Sequence, residues 1–90
     1  MKTFKAHLRE KLQDDQFKAL FDEEKEMLRI GIEIAEARAK LGISQTELAK
    51  RAHVTQQQVS KIENGVNCNM LTLLRVCRVL SLTCKVNRAA

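Results

Sequence analysis

Four polar side chains between positions 56 and 61 carry hydrogen-bonding groups that suit the edges of DNA bases. They are Gln56, Gln57, Ser60 and Lys61. A glutamine amide can pair with N6 and N7 of adenine, and each good bidentate pair gives roughly 1–3 kcal/mol of discrimination. A lysine suits O6 and N7 of guanine, or a phosphate. The alternative is an ordinary solvated polar face, so the flanking sequence must decide between the two interpretations.

The flanking sequence predicts two short helices joined by a tight turn. Ser44 with Glu47, and Thr55 with Gln58, each form a capping box, in which the cap oxygen accepts a backbone N–H and the third residue reaches back to the cap. Residues 64–65 (Asn-Gly) predict a helix stop. The apolar residues that fall on single faces of the two helices are Leu48, Ala49, Ala52, Val59 and Ile62, with Val54 between the helices. A polar run at the start of the second helix of such a pair favours base reading over the solvated face.

This stretch resembles the helix-turn-helix of the Xre/Cro family, in the pattern SQxxLAxxxxVxxxxVSKIENG. The matching residues are Gln45, Glu47, Leu48, Ala49, Ala52, Val54, Thr55, Gln56, Val59, Ile62, Glu63, Asn64 and Gly65. The resemblance implies roles for individual side chains. It implies base contacts by Gln56, Gln57 and Lys61, assisted by Ser60, and contacts near the DNA backbone by Thr55 and Asn64. It also implies that Gln45 supports Gln56 while it touches a phosphate. Arg38 is expected to form a structural ion pair with Glu63.

One position departs from the family pattern. Many members have glycine at this position, because the backbone of the turn is left-handed there. This chain has His53 instead. Histidine is among the residues that tolerate a positive φ, so we expect the turn to survive. A pH switch or a metal ligand at His53 is the less favoured alternative.

Charge divides the chain into two unlike halves. Residues 46–90 contain seven basic and two acidic side chains and therefore carry the whole net charge of +5. Lys50 and Arg51 belong to the paired helices, so we expect both to lie near phosphates. Residues 13–36 are acidic instead, with eight acidic and three basic side chains. That segment favours a basic protein partner through electrostatic complementarity, although an ordinary acidic helix surface would show the same composition.

The composition of the 90 residues excludes several other classes of function. Three phenylalanines are the only aromatic residues, so stacking of single-stranded bases is disfavoured. Cys68, Cys77 and Cys84 lack the close pairing of a zinc site. His7 and His53 are far apart, and neither a phosphate loop nor a nucleophile motif is present. We therefore expect no enzymatic activity, no metal and no cofactor. With no long apolar run or signal-peptide pattern, we expect no membrane association and a cytoplasmic location.

Periodicity predicts one all-α domain spanning residues 1–90, and the resemblance to the Xre/Cro family implies a lambda-repressor-like fold of five to six helices. Within it we expect an N-terminal helical extension over 1–21 and a core over 23–80, with the helix-turn-helix at 45–64. A long helix runs from about Glu23 to Leu41 after an interruption at Asp14-Asp15, and a last helix spans about 69–80. Residues 82–87 alternate apolar and polar side chains and suggest a short strand that pairs with its copy in a homodimer. Two recognition helices about 34 Å apart would then read successive turns of the major groove.

The whole chain resembles the HigA-type antitoxins of type II toxin–antitoxin systems. The resemblance includes the opening FKAHLREKLQDDQFKALFDEE, the stretch IEIAEARAKLGISQTELA and the closing LTLLRVCRVLSLTCKV. It implies that the protein binds operator DNA of its own operon and silences a basic, HigB-like RNase toxin through residues among 4–36. A stand-alone Xre-family repressor without a toxin partner is the alternative.

Overall fold

The computed structural model describes residues 15–86, which form four α-helices. Helix α1 spans Asp15–Leu41, α2 spans Gln45–Ala52, α3 spans Gln56–Glu63 and α4 spans Met70–Val79. Helices α2 and α3 are the two predicted helices of the paired unit. Helix α4 is the predicted last helix, with Asn69 as its N-cap and Leu80 as its C-cap. The all-α prediction is confirmed for this part of the chain.

The helix count and the start of α1 differ from the prediction. Residues 15–86 contain four helices rather than five to six, and α1 begins at Asp15 instead of Glu23. The segment between these two positions contains no proline or glycine and is rich in good helix formers, so it continues the helix. Residues 1–14 of the predicted N-terminal helical extension lie outside the described residues.

The strand predicted at 82–87 is wrong for residues 82–86, which form neither a strand nor a bridge. A strand needs a neighbour to satisfy its backbone groups; the predicted neighbour was the same segment of a second subunit, and residues 15–86 of the single chain contain no other strand. The backbone N–H of Leu82 instead donates to the Cys77 carbonyl at 2.8 Å, closing the end of α4. Asn87 lies outside the described residues.

All four helices end in the same hydrogen-bonded motif with a left-handed residue just past the helix. Gly42, His53, Gly65 and Ser81 have φ values of 69°, 57°, 74° and 58°. At each end, the two residues after the last helical turn donate N–H groups back to carbonyls of that turn, as in the Schellman motif. The turn at His53 therefore forms without glycine, as predicted.

The core lies where α1, α2 and α4 pack around α3. Its buried members are Ile34, Leu48, Ala49, Ala52, Val59, Ile62, Val76, Cys77 and Leu80. Gly31 marks the closest approach, because a Cβ atom there would lie 2.5 Å from the Ile62 carbonyl oxygen and 2.8 Å from that of Glu63. This close contact places α1 directly against the end of α3.

Candidate nucleic-acid interface

At the start of α2, only one of the two hydrogen bonds of the predicted capping box forms. The Glu47 backbone N–H donates to Ser44 Oγ at 3.0 Å, which satisfies one of the free donors of the first turn. The Glu47 carboxylate does not return to the cap as predicted. It accepts from Arg51 Nε at 3.0 Å, an ion pair across one helical turn on the exposed surface. The predicted phosphate ligand Arg51 is therefore already paired with Glu47.

The start of α3 carries the complete capping box. The Gln58 N–H donates to Thr55 Oγ1 at 3.1 Å, and the Thr55 N–H donates to Gln58 Oε1 at 2.8 Å. These reciprocal bonds set the point at which α3 begins. Gln56 and Gln57 consequently occupy the first two helical positions, and both side chains are exposed.

A chain of side-chain hydrogen bonds connects α1 to the first residue of α3. Arg38 donates through Nε and Nη2 to the two carboxylate oxygens of Glu63, at 2.8 and 2.9 Å. Gln45 Nε2 donates to Glu63 Oε1 at 3.3 Å, and Gln56 Nε2 donates to Gln45 Oε1 at 2.8 Å. Arg38 also donates to the Ile43 carbonyl at 2.9 Å. We call Arg38, Glu63, Gln45 and Gln56 the relay.

The inner end of the relay is partly buried and strongly paired. The Glu63 side chain is 7% exposed and that of Arg38 is 22% exposed. The hydrogen bond with Glu63 raises the pKa of the Arg38 guanidinium above its ordinary value, with a smaller contribution from the charge of the carboxylate, against desolvation. The bidentate pairing fixes the end of α3 on α1.

The outer end of the relay is an amide whose orientation is set. Gln56 uses one N–H toward Gln45, and no other partner for its side chain is found among residues 15–86. Its Oε1 and its second N–H can therefore still accept and donate. An acceptor and a donor on one amide are the pair that adenine N6 and N7 require.

The remaining predicted contact residues divide into exposed and engaged side chains. Gln57, Lys61 and Lys50 are exposed on the helix surfaces. Asn64 lies at the end of α3 as expected, but its Nδ2 donates to the Ser60 carbonyl at 2.8 Å and lies 3.4 Å from Ser60 Oγ. A phosphate contact by the Asn64 amide would require that side chain to turn away from α3.

Two polar contacts of the structure were not predicted from the sequence. The Gln45–Glu63 bond joins residues 18 positions apart in sequence, so no helical or strand period relates them. The Arg51–Glu47 pair has ideal helical spacing, yet Glu47 also fitted the predicted capping box. Whether the Glu47 carboxylate bonds Arg51 or the helix cap depends on side-chain geometry, which residue spacing does not specify.

Comparison with protein families agrees with this geometry. Residues 34–85 match the HTH_3 helix-turn-helix family, which covers the last turns of α1, both helices of the paired unit and α4. The chain belongs to this Xre-like helix-turn-helix family and is a DNA-binding transcription regulator. Comparison with curated proteins gave no match. Between residues 15 and 86, the helices lack the combination of length and apolar character that crossing a bilayer requires.

Proposed function

We propose that the protein is a sequence-specific repressor that reads operator DNA with the exposed face of α3. The proposed base contacts are Gln56, Gln57, Ser60 and Lys61, and the proposed backbone contacts are Gln45, Thr55, Asn64, Lys50 and Arg51. One observation carries the proposal. The relay holds an exposed amide at the first position of α3, linked through Gln45 to the partly buried Arg38–Glu63 pair.

A held amide reads a base at lower cost than a mobile one. A long polar side chain loses roughly 0.5–1.5 kcal/mol of conformational freedom when an interface immobilises it. Because Gln45 already orients Gln56, part of this loss occurs during folding rather than during binding. Gln56 is therefore the strongest candidate for a bidentate adenine contact, and the exposed Gln57 beside it is the second.

The basic residues of the paired helices supply attraction that does not depend on sequence. Lys50, Arg51 and Lys61 are exposed around the same unit. Counterion release predicts that affinity falls with salt, with a slope of about −0.9 per neutralised phosphate. Arg51 contributes fully only when its pairing with Glu47 gives way to a phosphate.

The test of base reading is selection of duplexes from a randomised pool, followed by footprinting. The double variant Gln56→Ala/Gln57→Ala should bind DNA in a salt-dependent manner but lose selectivity for the selected site. Gln16→Ala removes an equally exposed glutamine from α1 and should leave selectivity intact. Undiminished selectivity in the double variant would refute the assignment of α3 as the reading helix.

We further propose that α1 binds a basic, HigB-like toxin, making the protein an autorepressing antitoxin. The support is the mixed surface of α1, which combines the exposed acidic run at 22–24 with large exposed apolar side chains. The apolar members are Leu20, Phe21, Leu28 and Ile32. Acidic residues would repel DNA but complement a basic protein, and apolar side chains among them would supply the contact area. A stand-alone repressor remains the alternative and needs no partner for this surface.

Co-expression of the tagged chain with its flanking reading frames tests the partner. A small basic protein that is recovered in fixed stoichiometry, and that stops growth when expressed alone, supports the antitoxin. Leu20→Ser should weaken this complex at least tenfold without changing DNA affinity. Leu41→Ser is the matched control, because both leucines lie on α1 with comparable exposure, 60% and 51%, at opposite ends. Recovery of the chain alone, still bound to its upstream DNA, would support the stand-alone repressor.

We also propose that the chain acts as a homodimer on DNA. Met70, Leu71 and Leu74 expose apolar area on α4, and Met70 and Leu74 line a groove together with residues 82–86. A dimer would present two α3 helices to half-sites about one helical turn apart. Sedimentation of the free protein and of its complex with a selected duplex measures the stoichiometry; one protomer per palindromic site would contradict the proposal.

A further inference from the structure

Two thiols meet at the end of α4. The Sγ atoms of Cys77 and Cys84 are 3.4 Å apart, and both cysteines are free thiols. Cys77 is buried in the core, whereas Cys84 is exposed in the segment after α4. The left-handed turn at Ser81 reverses the chain, so that Cys84 returns to a helix that ended five residues earlier.

We propose that Cys77 and Cys84 form a reversible intramolecular disulfide in the presence of hydrogen peroxide, which makes this pair of cysteines a redox modification site. The Cys84 sulfur attacks the peroxide, the O–O bond breaks, and Cys84 becomes a sulfenic acid as one water leaves. The Cys77 sulfur then attacks the Cys84 sulfur, the S–O bond breaks, and the departing hydroxide takes the Cys77 proton to form a second water. Two thiols are oxidised to one disulfide, and the peroxide is reduced to two waters.

The order of the two steps follows from the surroundings of each sulfur. Burial raises the pKa of the Cys77 thiol to about 12, and the hydrogen bond and charge of Cys84 act in the same direction. Cys77 is therefore a poor first nucleophile toward an oxidant in water. Cys84 is the thiol that solvent reaches. Once Cys84 is oxidised, Cys77 is already in contact with it, so the second step has the advantage of proximity.

The local backbone allows the small movement that bond formation needs. A disulfide has an S–S length of about 2.05 Å, so the two sulfurs must approach each other by more than an ångström. Residues 82–86 belong to no helix or strand, which leaves Cys84 able to shift while Cys77 stays fixed in α4. The closed form ties these residues to α4 beside the groove that they share with α1, lined in part by Ile30, Met70 and Leu74.

The test is peroxide treatment of the reduced full-length protein, followed by tryptic digestion without reductant and mass spectrometry. Cleavage after Lys61, Arg75, Arg78 and Lys85 would place the three cysteines in separate peptides, 62–75, 76–78 and 79–85. We expect a cross-linked pair of peptides 76–78 and 79–85, lighter by two hydrogens than the sum of the free peptides and separated by dithiothreitol. Cys68→Ser should give the same product at the same rate.

Cys84→Ser is the critical variant, because Cys84 is exposed and its replacement leaves the core unchanged. It should abolish the cross-link, with native circular dichroism as the check on folding. Three results would overturn the proposal: a cross-link that persists in Cys84→Ser, a product that joins two chains through Cys84, or conversion of wild-type Cys84 to sulfinic or sulfonic acid without a cross-link. The wild type should also melt at a higher temperature when oxidised than when reduced, whereas Cys84→Ser should show no such difference.

Discussion

The α2–α3 unit and the first turns of α1 (residues 15–26) differ in how their side chains are satisfied. In the α2–α3 unit, apolar residues are buried and polar residues bond one another through caps, an ion pair and the relay. In the first turns of α1, Leu20 and Phe21 are exposed beside exposed acidic residues. The side chains of the α2–α3 unit find their partners within the chain, whereas the first turns of α1 expose apolar area that a partner could cover. A base-reading surface binds better when its side chains are ordered before binding, whereas exposed apolar area marks a protein-binding surface.

The largest expected effect comes from breaking the inner end of the relay. Glu63→Ala leaves the partly buried Arg38 guanidinium without its carboxylate and should lower the free energy of unfolding by about 2–3 kcal/mol, somewhat below the range for a fully buried pair. Glu47→Ala removes the carboxylate of the exposed pair with Arg51 and should cost no more than about 1 kcal/mol. Urea unfolding of both variants measures the contrast. Equal losses would mean that the relay does not stabilise the fold.

The second effect tests the contact between α1 and α3. Gly31→Ala introduces a Cβ atom 2.5 Å from a backbone oxygen that cannot move alone, so α3 must shift. Overpacking should outweigh the gain of about 1 kcal/mol in helix propensity and leave a net loss of roughly 1–2 kcal/mol. Thermal unfolding measures this change. A more stable variant would show that the two helices do not approach so closely.

The third effect separates reading from folding. Gln45→Ala removes the support of Gln56 but no core atom, so stability should change by about 1 kcal/mol or less. Affinity for a selected operator should fall at least about fivefold to tenfold, since the orienting hydrogen bond is worth about 1 kcal/mol and the proposed backbone contact of Gln45 is lost with it. Thr46→Ala changes the neighbouring exposed position and serves as the control. Fluorescence anisotropy at fixed salt measures the affinities, and equal affinity of the two variants would remove the role of the relay in reading.

The smallest effect lies on the surface of α1. Hydrogen bonding to Arg29 lowers the pKa of the Glu26 carboxyl, aided by the charge of Arg29 and opposed by desolvation. A lowered folded-state pKa stabilises the protein above the ordinary glutamate pKa, and this contribution is lost as pH falls through the folded value. Because the pair is exposed, Glu26→Gln should not change the melting temperature measurably at pH 7. NMR titration should show the Glu26 pKa rising toward its ordinary value in Arg29→Ala, and an unchanged pKa would exclude this interaction.

Structure that depends on neighbours along the chain could be predicted from the sequence. Caps at Ser44 and Thr55, stops at Gly42 and Gly65, and the left-handed turn at His53 are all set within four or five residues. These signals placed α2 and α3, and with them every proposed DNA contact.

Structure that depends on residues distant in the chain, or on competition between two possible partners of one side chain, could not be predicted in the same way. Residues 82–86 alternate like a strand, but alternation supplies no neighbouring strand. The long helix was expected to start at about Glu23, although residues 15–22 belong to the same helix. The contact between Cys77 and Cys84 depends on the turn at Ser81. Ser81 has a positive φ although it is not glycine, and no local sequence pattern predicted this.

The most direct test of the central claim is a double-mutant cycle between Gln56 and a single adenine of the selected operator. Replacing that adenine by 7-deazaadenine removes only the N7 acceptor. The wild type should lose roughly fivefold to a hundredfold in affinity for the modified duplex, whereas Gln56→Ala should bind both duplexes equally. Equal losses for the two proteins, at every adenine of the site, would show that the amide held by the relay does not read a base through N7.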